Sequence, residues 1–159
     1  MRKLILPLAI LAMAALLGGA VAVDCVRLAL DGHSRVLAAD GQMAAQEIRL
    51  VNALNNSAKK TPEVESSITN MKSIHDRRAR IEAYDSLVAT FRNTLSGKID
   101  PTNPLDRKFM DEAAGAINRR DVAQKQYDEE WTVYHKYLNS WRGRVARVFS
   151  SQARLDSDH

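Results

Sequence analysis

Residues 127–149 read YDEEWTVYHKYLNSWRGRVARVF and contain the most regular apolar pattern in the chain. Apolar and aromatic side chains recur here at alternating steps of four and three residues, the spacing of a heptad-like, coiled-coil seam on one face of a helix. The members of this seam are Tyr127, Trp131, Tyr134, Leu138, Trp141, Val145 and Val148. Because an apolar face of this length cannot remain in water, the helix must pack on partner helices. The pattern therefore predicts an all-α fold.

Two weaker helical stretches precede this seam. At the start of the nearer one, Thr61-Pro62-Glu63 offers a capping hydroxyl, a proline suited to the first helical position and an acid at the positive end of the helix dipole. Its stripe continues through Val64, Ile68, Met71, Ile81, Tyr84, Val88, Phe91 and Leu95. The first stretch has a weak stripe made of Leu37, Ala44, Ile48 and Val51. Gly32 and Gly41 in this stretch each cost about 1 kcal/mol relative to alanine.

These patterns predict three long helices over about residues 26–58, 62–96 and 104–150, and a polar tail over 151–159. The connections between the helices are short, and short connections place consecutive helices side by side in opposite directions. We therefore expect an antiparallel up-down-up bundle over residues 24–150. Within a chain of 159 residues this is one domain of ordinary size.

An apolar run precedes the bundle. About twenty uncharged residues, 4–23, follow Arg2 and Lys3, and a helix of that length spans about 30 Å, the hydrocarbon thickness of a bilayer. Residues 1–23 are therefore expected to form a transmembrane anchor, with Arg2 and Lys3 in the cytoplasm and the rest of the chain outside. Representative anchor residues are Leu4, Leu11, Leu16 and Val23.

A cleaved signal peptide is the competing interpretation of the same run. Ala20-Val21-Ala22 has the small-x-small form that a signal peptidase accepts. The run is longer than the roughly 7–15 apolar residues of a signal peptide, and it continues into further apolar residues without a turn. Both observations favour an uncleaved anchor. Cys25 follows directly, but Asp24 stands where a lipoprotein signal has a small residue.

Composition and motifs argue against an enzyme. The single cysteine excludes an internal disulfide, and none of the four histidines has the i, i+4 histidine partner of a helical zinc site. The sequence contains no P-loop, nucleophile elbow or paired Glu-x-x-His units. We therefore expect no catalytic residues, no metal and no cofactor. With a net charge of +4 that falls to about +2 outside the membrane, nucleic acid is not an expected partner.

Two clusters of arginine stand out. Arg77, Arg78 and Arg80 lie among acidic residues, which is typical of a solvated or salt-bridged helix face. By contrast, no acidic residue occurs between Trp131 and Asp156. This second region is the candidate interaction end, because arginine and aromatic side chains are enriched at protein interfaces. It comprises Trp141, Arg142, Arg144, Arg147 and Phe149.

Helix lengths suggest where this interaction end lies. The third helix, of about 45 residues, is about 15 Å longer than its partners at 1.5 Å per residue. If the bundle aligns near Gly97, the extra length overhangs at the tip farthest from the membrane. A kink or a shift of the helix end would absorb the same difference, and a plain solvated helix end is the simpler interpretation of the arginines.

Part of the third helix resembles a known family. Residues 111–119 read DEAAGAINR and are similar to the D-E-L-x-G-x-E-N-R stretch of LemA-family proteins. From Asn118, aromatic positions follow at the family's offsets of nine, seven and seven residues, at Tyr127, Tyr134 and Trp141. Glu82-Ala83-Tyr84 also resembles the family's E-A-Y-P-x-L. The resemblance, mainly in the second half of the chain, implies a membrane-anchored helical bundle and supplies no catalytic residues.

The sequence thus predicts a non-enzymatic scaffold or protein-interaction module of the bacterial envelope. It would be anchored by a single span in the inner membrane, with most of the chain outside the cytoplasm. Its partner would be another envelope protein or a second copy of itself. A sensor or ligand-binding helical domain is one alternative, and a soluble periplasmic bundle released by signal cleavage is another.

Overall fold

The computed structural model describes the backbone of residues 2–57, 59–74, 76–95, 97–100 and 102–155, and the side chains of residues 12–153 within those ranges. All regular secondary structure in these ranges is helical, which confirms the all-α prediction. The helices are α1 (Arg2–Asn56), α2 (Pro62–Ser73), α3 (Arg77–Leu95), α4 (Pro104–Asn139), α5 (Trp141–Phe149) and α6 (Ser151–Leu155).

Helix α1 joins the apolar N-terminal run to the first predicted outer helix without a break. Within its stretch Ala12–Asn56, an 18-residue window is apolar enough to cross a membrane, with a mean hydropathy of 1.8 and 11% of that window buried. Every side chain from Ala12 to Val21 is exposed. Leu16 is 75% exposed and Val23 69% exposed, whereas the side chains of Leu4 and Leu11 lie outside the described residues.

The chain divides into two compact units, each with its own apolar core. The first unit comprises Met1–Ala39 and Lys125–His159, and the second comprises Asp40–Gln124. Helices α1 and α4 contribute residues to both units, whereas α2 and α3 belong to the second unit and α5 and α6 to the first.

In the second unit, α2 and α3 carry the stripe predicted for residues 62–96, and seven of its eight members are buried. Two helices replace the single predicted one, because the backbone at Ile74 is extended and ends α2. The Asp76 carboxylate then accepts a hydrogen bond of 2.8 Å from the Ala79 amide and so caps the start of α3. At the start of α2, the Thr61 hydroxyl accepts from the Val64 amide, in agreement with the predicted cap.

The buried face of α1 agrees with the predicted stripe at Val51, which is 4% exposed, and differs from it at Leu37 and Ile48. Leu37 is 56% exposed and Ile48 59% exposed, and the core positions lie one or two residues away. The apolar residues of this buried face are Cys25, Ala29, Val36, Ala39, Met43, Leu50, Val51, Ala53 and Leu54. Small residues make up nearly half of it, and they allow neighbouring helices to pack closely.

Gly32 illustrates this close packing in the first unit. An added Cβ atom would lie 2.7 Å from Cδ2 of Tyr134, whose side chain is 2% exposed and belongs to the core of that unit. The helix is continuous at Gly32, so the glycine gives room to an aromatic ring and makes no hinge.

The predicted helix over residues 104–150 is also interrupted. Helix α4 ends at Asn139, and the Ser140 hydroxyl caps α5 by accepting a hydrogen bond of 3.2 Å from the Gly143 amide. The seam is buried at Tyr134 and Leu138, but Trp141 is 61% exposed and Val148 67% exposed. The expected polar tail begins with α6, in which Ala153 is buried, and residues 156–159 lie outside the described part of the chain.

Replacing Gly32 with alanine should lower the free energy of unfolding by about 1–3 kcal/mol, because the new methyl group overpacks the ring of Tyr134. Gly41→Ala is the matched control in the same helix: nothing lies within 4 Å of its added Cβ atom, so the alanine should raise stability by up to about 1 kcal/mol. Urea unfolding of the full chain in mild detergent, followed by circular dichroism, measures both. If both variants raised the free energy of unfolding equally, the close approach of the Tyr134 ring to Gly32 would be contradicted.

Candidate functional site

The candidate interaction end lies beside the apolar N-terminal segment. Val145 and Phe149 of α5 line an open groove of about 740 Å³ together with seven residues of α1 between Leu17 and Val26. The expectation that this end overhangs at a tip far from the membrane run is therefore wrong. The physical reason is the direction of α4. Within the second unit Glu47 of α1 pairs with Arg120 of α4, and Lys59, after α1, pairs with Asp106. Within the first unit the Cys25 carbonyl accepts a hydrogen bond from Tyr137. Helices α1 and α4 therefore run in opposite directions, whereas the expected up-down-up order gives the first and third helices the same direction and is wrong on this point.

Helix α5 places its small residues inward and its large apolar residues outward. Gly143 and Ala146 are buried, whereas Trp141, Val148 and Phe149 are each more than 60% exposed. At about 100° per residue, Val148, Trp141, Val145 and Phe149 occupy one continuous arc of about 100°. We call this arc the outer face of α5. It is the reverse of an ordinary surface helix, which turns its large apolar residues toward the core.

Gly143 determines how closely α5 approaches the end of α4. An added Cβ atom would lie 2.5 Å from the Cα atom of Leu138 and still closer to the carbonyl oxygens of Tyr137 and Leu138. Only a residue without a side chain fits at this position. The cap at Ser140 and the close approach at Gly143 together turn the outer face of α5 away from the core.

Arginines border the outer face on both sides. At 100° per residue, Arg142 follows Phe149 on one edge, and Arg144 and then Arg147 follow Val148 on the other. Arg142 and Arg144 are exposed and Arg147 is half-buried. The Arg142 guanidinium carbon lies 5.4 Å from the centre of the Trp141 ring, a cation–π distance. The five residues predicted as the interaction end therefore share one short helix.

A second polar feature, the buried charge cluster, lies within the second unit. Glu47 is 3% exposed and Arg120 is 1% exposed. Arg80 Nε lies 3.2 Å from one Glu47 carboxylate oxygen, and Arg120 Nε lies 3.7 Å from the other. Two guanidinium groups from α3 and α4 thus enclose one carboxylate of α1.

Arg120 makes further contacts that hold it in the interior. Its guanidinium carbon lies 4.4 Å from the centre of the Tyr84 ring, and the group also donates a hydrogen bond to Gln124. An Asp85 carboxylate oxygen lies 4.0 Å from Nη1. Arginine suits a buried position better than lysine, because its planar guanidinium group stacks on aromatic rings and donates several hydrogen bonds in a fixed geometry.

Burial controls the protonation of this cluster. Desolvation raises the pKa of Glu47 above its usual value, although the positive charges of Arg80 and Arg120 act in the opposite direction. Burial also raises the pKa of the Tyr84 hydroxyl, so this group stays protonated at physiological pH. Because these side chains are covered by protein, the arrangement supports packing of three helices and leaves no room for a substrate at the carboxylate.

The sequence contains a signal for this cluster, namely charged residues at core positions of two helices. Glu47 lies at a core position of the α1 stripe, between Met43 and Leu50, and Arg120 follows Ala116 and Ile117 on the buried face of α4. A charged residue at such a position requires a charged or hydrogen-bonding partner, because an isolated buried charge is costly. The segment that resembles the LemA family, residues 111–119, ends one residue before Arg120.

The Arg77, Arg78 and Arg80 cluster divides between two environments. Arg77 pairs with Asp40 at 3.0 Å and Arg80 with Glu47, both across to α1. Arg78 is 92% exposed and faces Glu82, one turn further along the same helix, at 3.7 Å. The expectation of a salt-bridged face is therefore confirmed, but two of the three partners come from another helix.

Histidine and cysteine show no metal-binding arrangement among the residues that the structure describes. His75 and His159 lie outside those residues, His33 packs near Tyr134 and His135 near Trp131. Cys25 is a buried member of the first unit's core, and its carbonyl oxygen accepts a hydrogen bond of 2.6 Å from the Tyr137 hydroxyl. Burial and this contact raise the pKa of Tyr137.

No protein-family model, curated protein or solved structure matches the chain at a significant level.

The buried charge cluster predicts an unusual pH dependence. Because the folded-state pKa of Glu47 is raised, its contribution to stability is complete below the pKa of the unfolded chain, near 4.3, and is lost as pH rises through the folded pKa. Glu47→Gln removes this titration. The stability of the natural chain relative to this variant should therefore be lower at about pH 7 than at about pH 4, as measured by urea unfolding at each pH.

Glu82→Gln is the matched control, because the Arg78–Glu82 pair has the same separation of 3.7 Å as Arg120–Glu47 but is exposed. Its stability difference should stay within about 0.5 kcal/mol at both pH values. If the stability of the natural chain instead rose with pH relative to that of Glu47→Gln, attraction of the Glu47 carboxylate by Arg80 and Arg120 would exceed the cost of its burial.

Proposed function

We propose that this protein is a non-enzymatic, membrane-anchored helical scaffold of the bacterial envelope. The observation that carries the proposal is the continuity of α1, in which an exposed apolar segment passes directly into a helix with one buried face. An exposed run of this length and composition is stable in a bilayer and not in water. Arg2 and Lys3 at its start favour a cytoplasmic N-terminus and an extracytoplasmic position for the rest.

Contacts within each unit support antiparallel packing of α1 and α4. In the second unit, Lys59, which follows α1, pairs with Asp106, and Glu47 pairs with Arg120. The residue numbers thus rise along one helix as they fall along the other.

The first unit repeats this order. The ring of His33 lies 6.1 Å from that of Tyr134, and the Cys25 carbonyl accepts from the Tyr137 hydroxyl. In both units the contacts are those of a helical bundle in which the chain returns toward its anchor.

The groove beside α5 favours an uncleaved anchor over a signal peptide. Cleavage after Ala22 would remove Leu17, Gly18, Gly19, Val21 and Ala22, which form most of the α1 wall of that groove. Val145 and Phe149 would then lose the surface that they face. An anchor that remains attached keeps this part of the first unit intact.

We propose, on the sequence resemblance alone, that the chain is related to the LemA family. The motif-like segment Glu82-Ala83-Tyr84 lies on α3, and Asp111–Arg119 lies on α4. Arg120, which follows the second segment and lies outside it, stacks on Tyr84 of the first.

We propose that a protein partner binds at the end of the second unit where α4 begins. A groove of about 550 Å³ there is lined by apolar and charged residues that include Leu105, Phe109, Lys108 and Glu112. Leu105 is 77% exposed, the most exposed large apolar side chain of the second unit. Exposed apolar groups rimmed by charges are typical of protein interfaces. The partner would be another envelope protein or a second copy.

Membrane extraction tests the anchor. The full chain should remain with the membrane after alkaline carbonate treatment, and its intact mass should include residues 1–22, because the exposed apolar segment is stabilised by lipid. A chain released by carbonate, with a mass that begins at Val23, would contradict the anchor and favour the soluble periplasmic alternative.

Photo-crosslinking from position 105 tests the partner groove. A photoreactive residue in place of Leu105 should give a covalent adduct with an envelope protein or with a second copy in intact cells. Position 128 is the control, because Asp128 is also exposed on α4 but belongs to the first unit and does not line the groove. Equal labelling from both positions, or no adduct from position 105, would contradict this interface.

A further inference from the structure

The outer face of α5 has the composition of a helix that lies in a membrane surface. It presents Trp141, Val145, Val148 and Phe149, and arginines border it on both sides. Interfacial helices combine an apolar face with basic residues at its edges, and tryptophan is enriched at the level of the lipid headgroups. Phosphate oxygens accept hydrogen bonds from the guanidinium fork in the bidentate manner that arginine favours.

The position of α5 along α1 gives the second, independent observation. Val145 and Phe149 face α1 between Leu17 and Val26, across the end of the apolar run. At 1.5 Å per residue, Leu17 lies about 9 Å below Val23, where the run ends. This range matches the depth of about 5–10 Å to which interfacial helices bury their apolar face. The outer face of α5 therefore lies at the level where the anchor leaves the bilayer.

Charge decides which lipids suit this surface. The stretch from Trp131 to Leu155 contains five basic residues and no acidic residue, although the chain beyond the first three residues is almost neutral. Arginines at a membrane surface are attracted to acidic headgroups. Each one strengthens binding by about 1 kcal/mol, which is about fivefold in affinity. A zwitterionic surface also offers phosphate oxygens, but it has no net negative charge, so this electrostatic attraction is absent there.

We propose that α5 is a second membrane contact, which inserts its outer face among acidic phospholipids of the leaflet at which α1 leaves the bilayer. This inference rests on the proposed membrane span. The arginine and aromatic residues that resemble a protein-binding end thus bind lipid headgroups instead. The span and α5 together hold the first unit at two points on the membrane, which restricts rotation and tilt of α1.

Tryptophan fluorescence in vesicles tests the proposal, because the chain contains two tryptophans and both belong to the first unit. In Trp131→Phe, the remaining reporter is Trp141 on the outer face; in Trp141→Phe, it is Trp131. Trp131 lies one turn before Tyr134 on α4, and Tyr134 packs beside His33 of α1. His33 lies about 13 Å along α1 beyond Asp24. It therefore provides the matched control outside the bilayer.

Each full-length variant is reconstituted into phosphatidylcholine vesicles with and without phosphatidylglycerol, and lipids brominated near the headgroup serve as the quencher. Emission of Trp141 should be quenched at least about twofold more than that of Trp131 in the acidic vesicles. Arg142→Gln combined with Arg144→Gln should lower this quenching toward its value in pure phosphatidylcholine. The reason is that each arginine strengthens the affinity for acidic lipid by about fivefold.

Carbonate extraction of the same vesicles separates the two ways in which the proposal fails. A chain that resists extraction while its Trp141 is quenched no more than Trp131 overturns the interfacial role of α5 and leaves the anchor in place. A chain that is released, with neither tryptophan quenched, overturns both. Quenching of Trp141 that is unaffected by phosphatidylglycerol and by the two arginine substitutions overturns the preference for acidic lipids.

Discussion

In the proposed arrangement, helix α1 lies in lipid up to Val23 and in water beyond it, with one continuous backbone. Up to Val23 its described side chains are apolar and almost all exposed, whereas from Cys25 onward it buries one narrow stripe and turns charged residues outward. A helix satisfies its own backbone hydrogen bonds in either environment, so this change requires no break. The position at which the pattern changes also determines where packing partners can begin. The core of the first unit accordingly starts at Cys25.

A second constraint on the fold is that the buried face of α1 carries a charged residue. Glu47 interrupts the apolar face of α1, and its partners Arg80 and Arg120 come from two different helices. Replacing such a group of charges with apolar residues is often neutral for stability, so its value lies elsewhere. A carboxylate that must meet two guanidinium groups accepts one register of the three helices. We regard the cluster as a device that specifies packing, in the way that a buried polar residue specifies register in a coiled coil.

Much of the fold could be predicted from the sequence, and the failures have physical causes. Periodicity identified the stripe from Val64 to Leu95, because burial of large apolar residues governs it, and composition identified the apolar run. On α1 the predicted stripe was right at Val51 and wrong at Leu37 and Ile48, since nearly half of the apolar residues on the buried face are alanine or cysteine, whose small side chains give a weak hydrophobic pattern. Periodicity also missed the breaks at Ile74 and Ser140, where capping side chains compete with helix continuation. The buried charge cluster depended on three separate segments, and one-dimensional periodicity does not report such contacts.

Helix α5 shows why an apolar pattern alone does not reveal which side of a helix faces the core. The heptad steps of Trp141, Val145 and Val148 continue the seam of α4, yet the cap at Ser140 and the close approach at Gly143 place the small residues inward. The large residues are then exposed, a costly arrangement in water. Beside Leu17–Val26 the same exposure is compatible with lipid, because that segment is itself apolar and exposed. The proposed membrane contact would thus give the exposed outer face of α5 a packing partner.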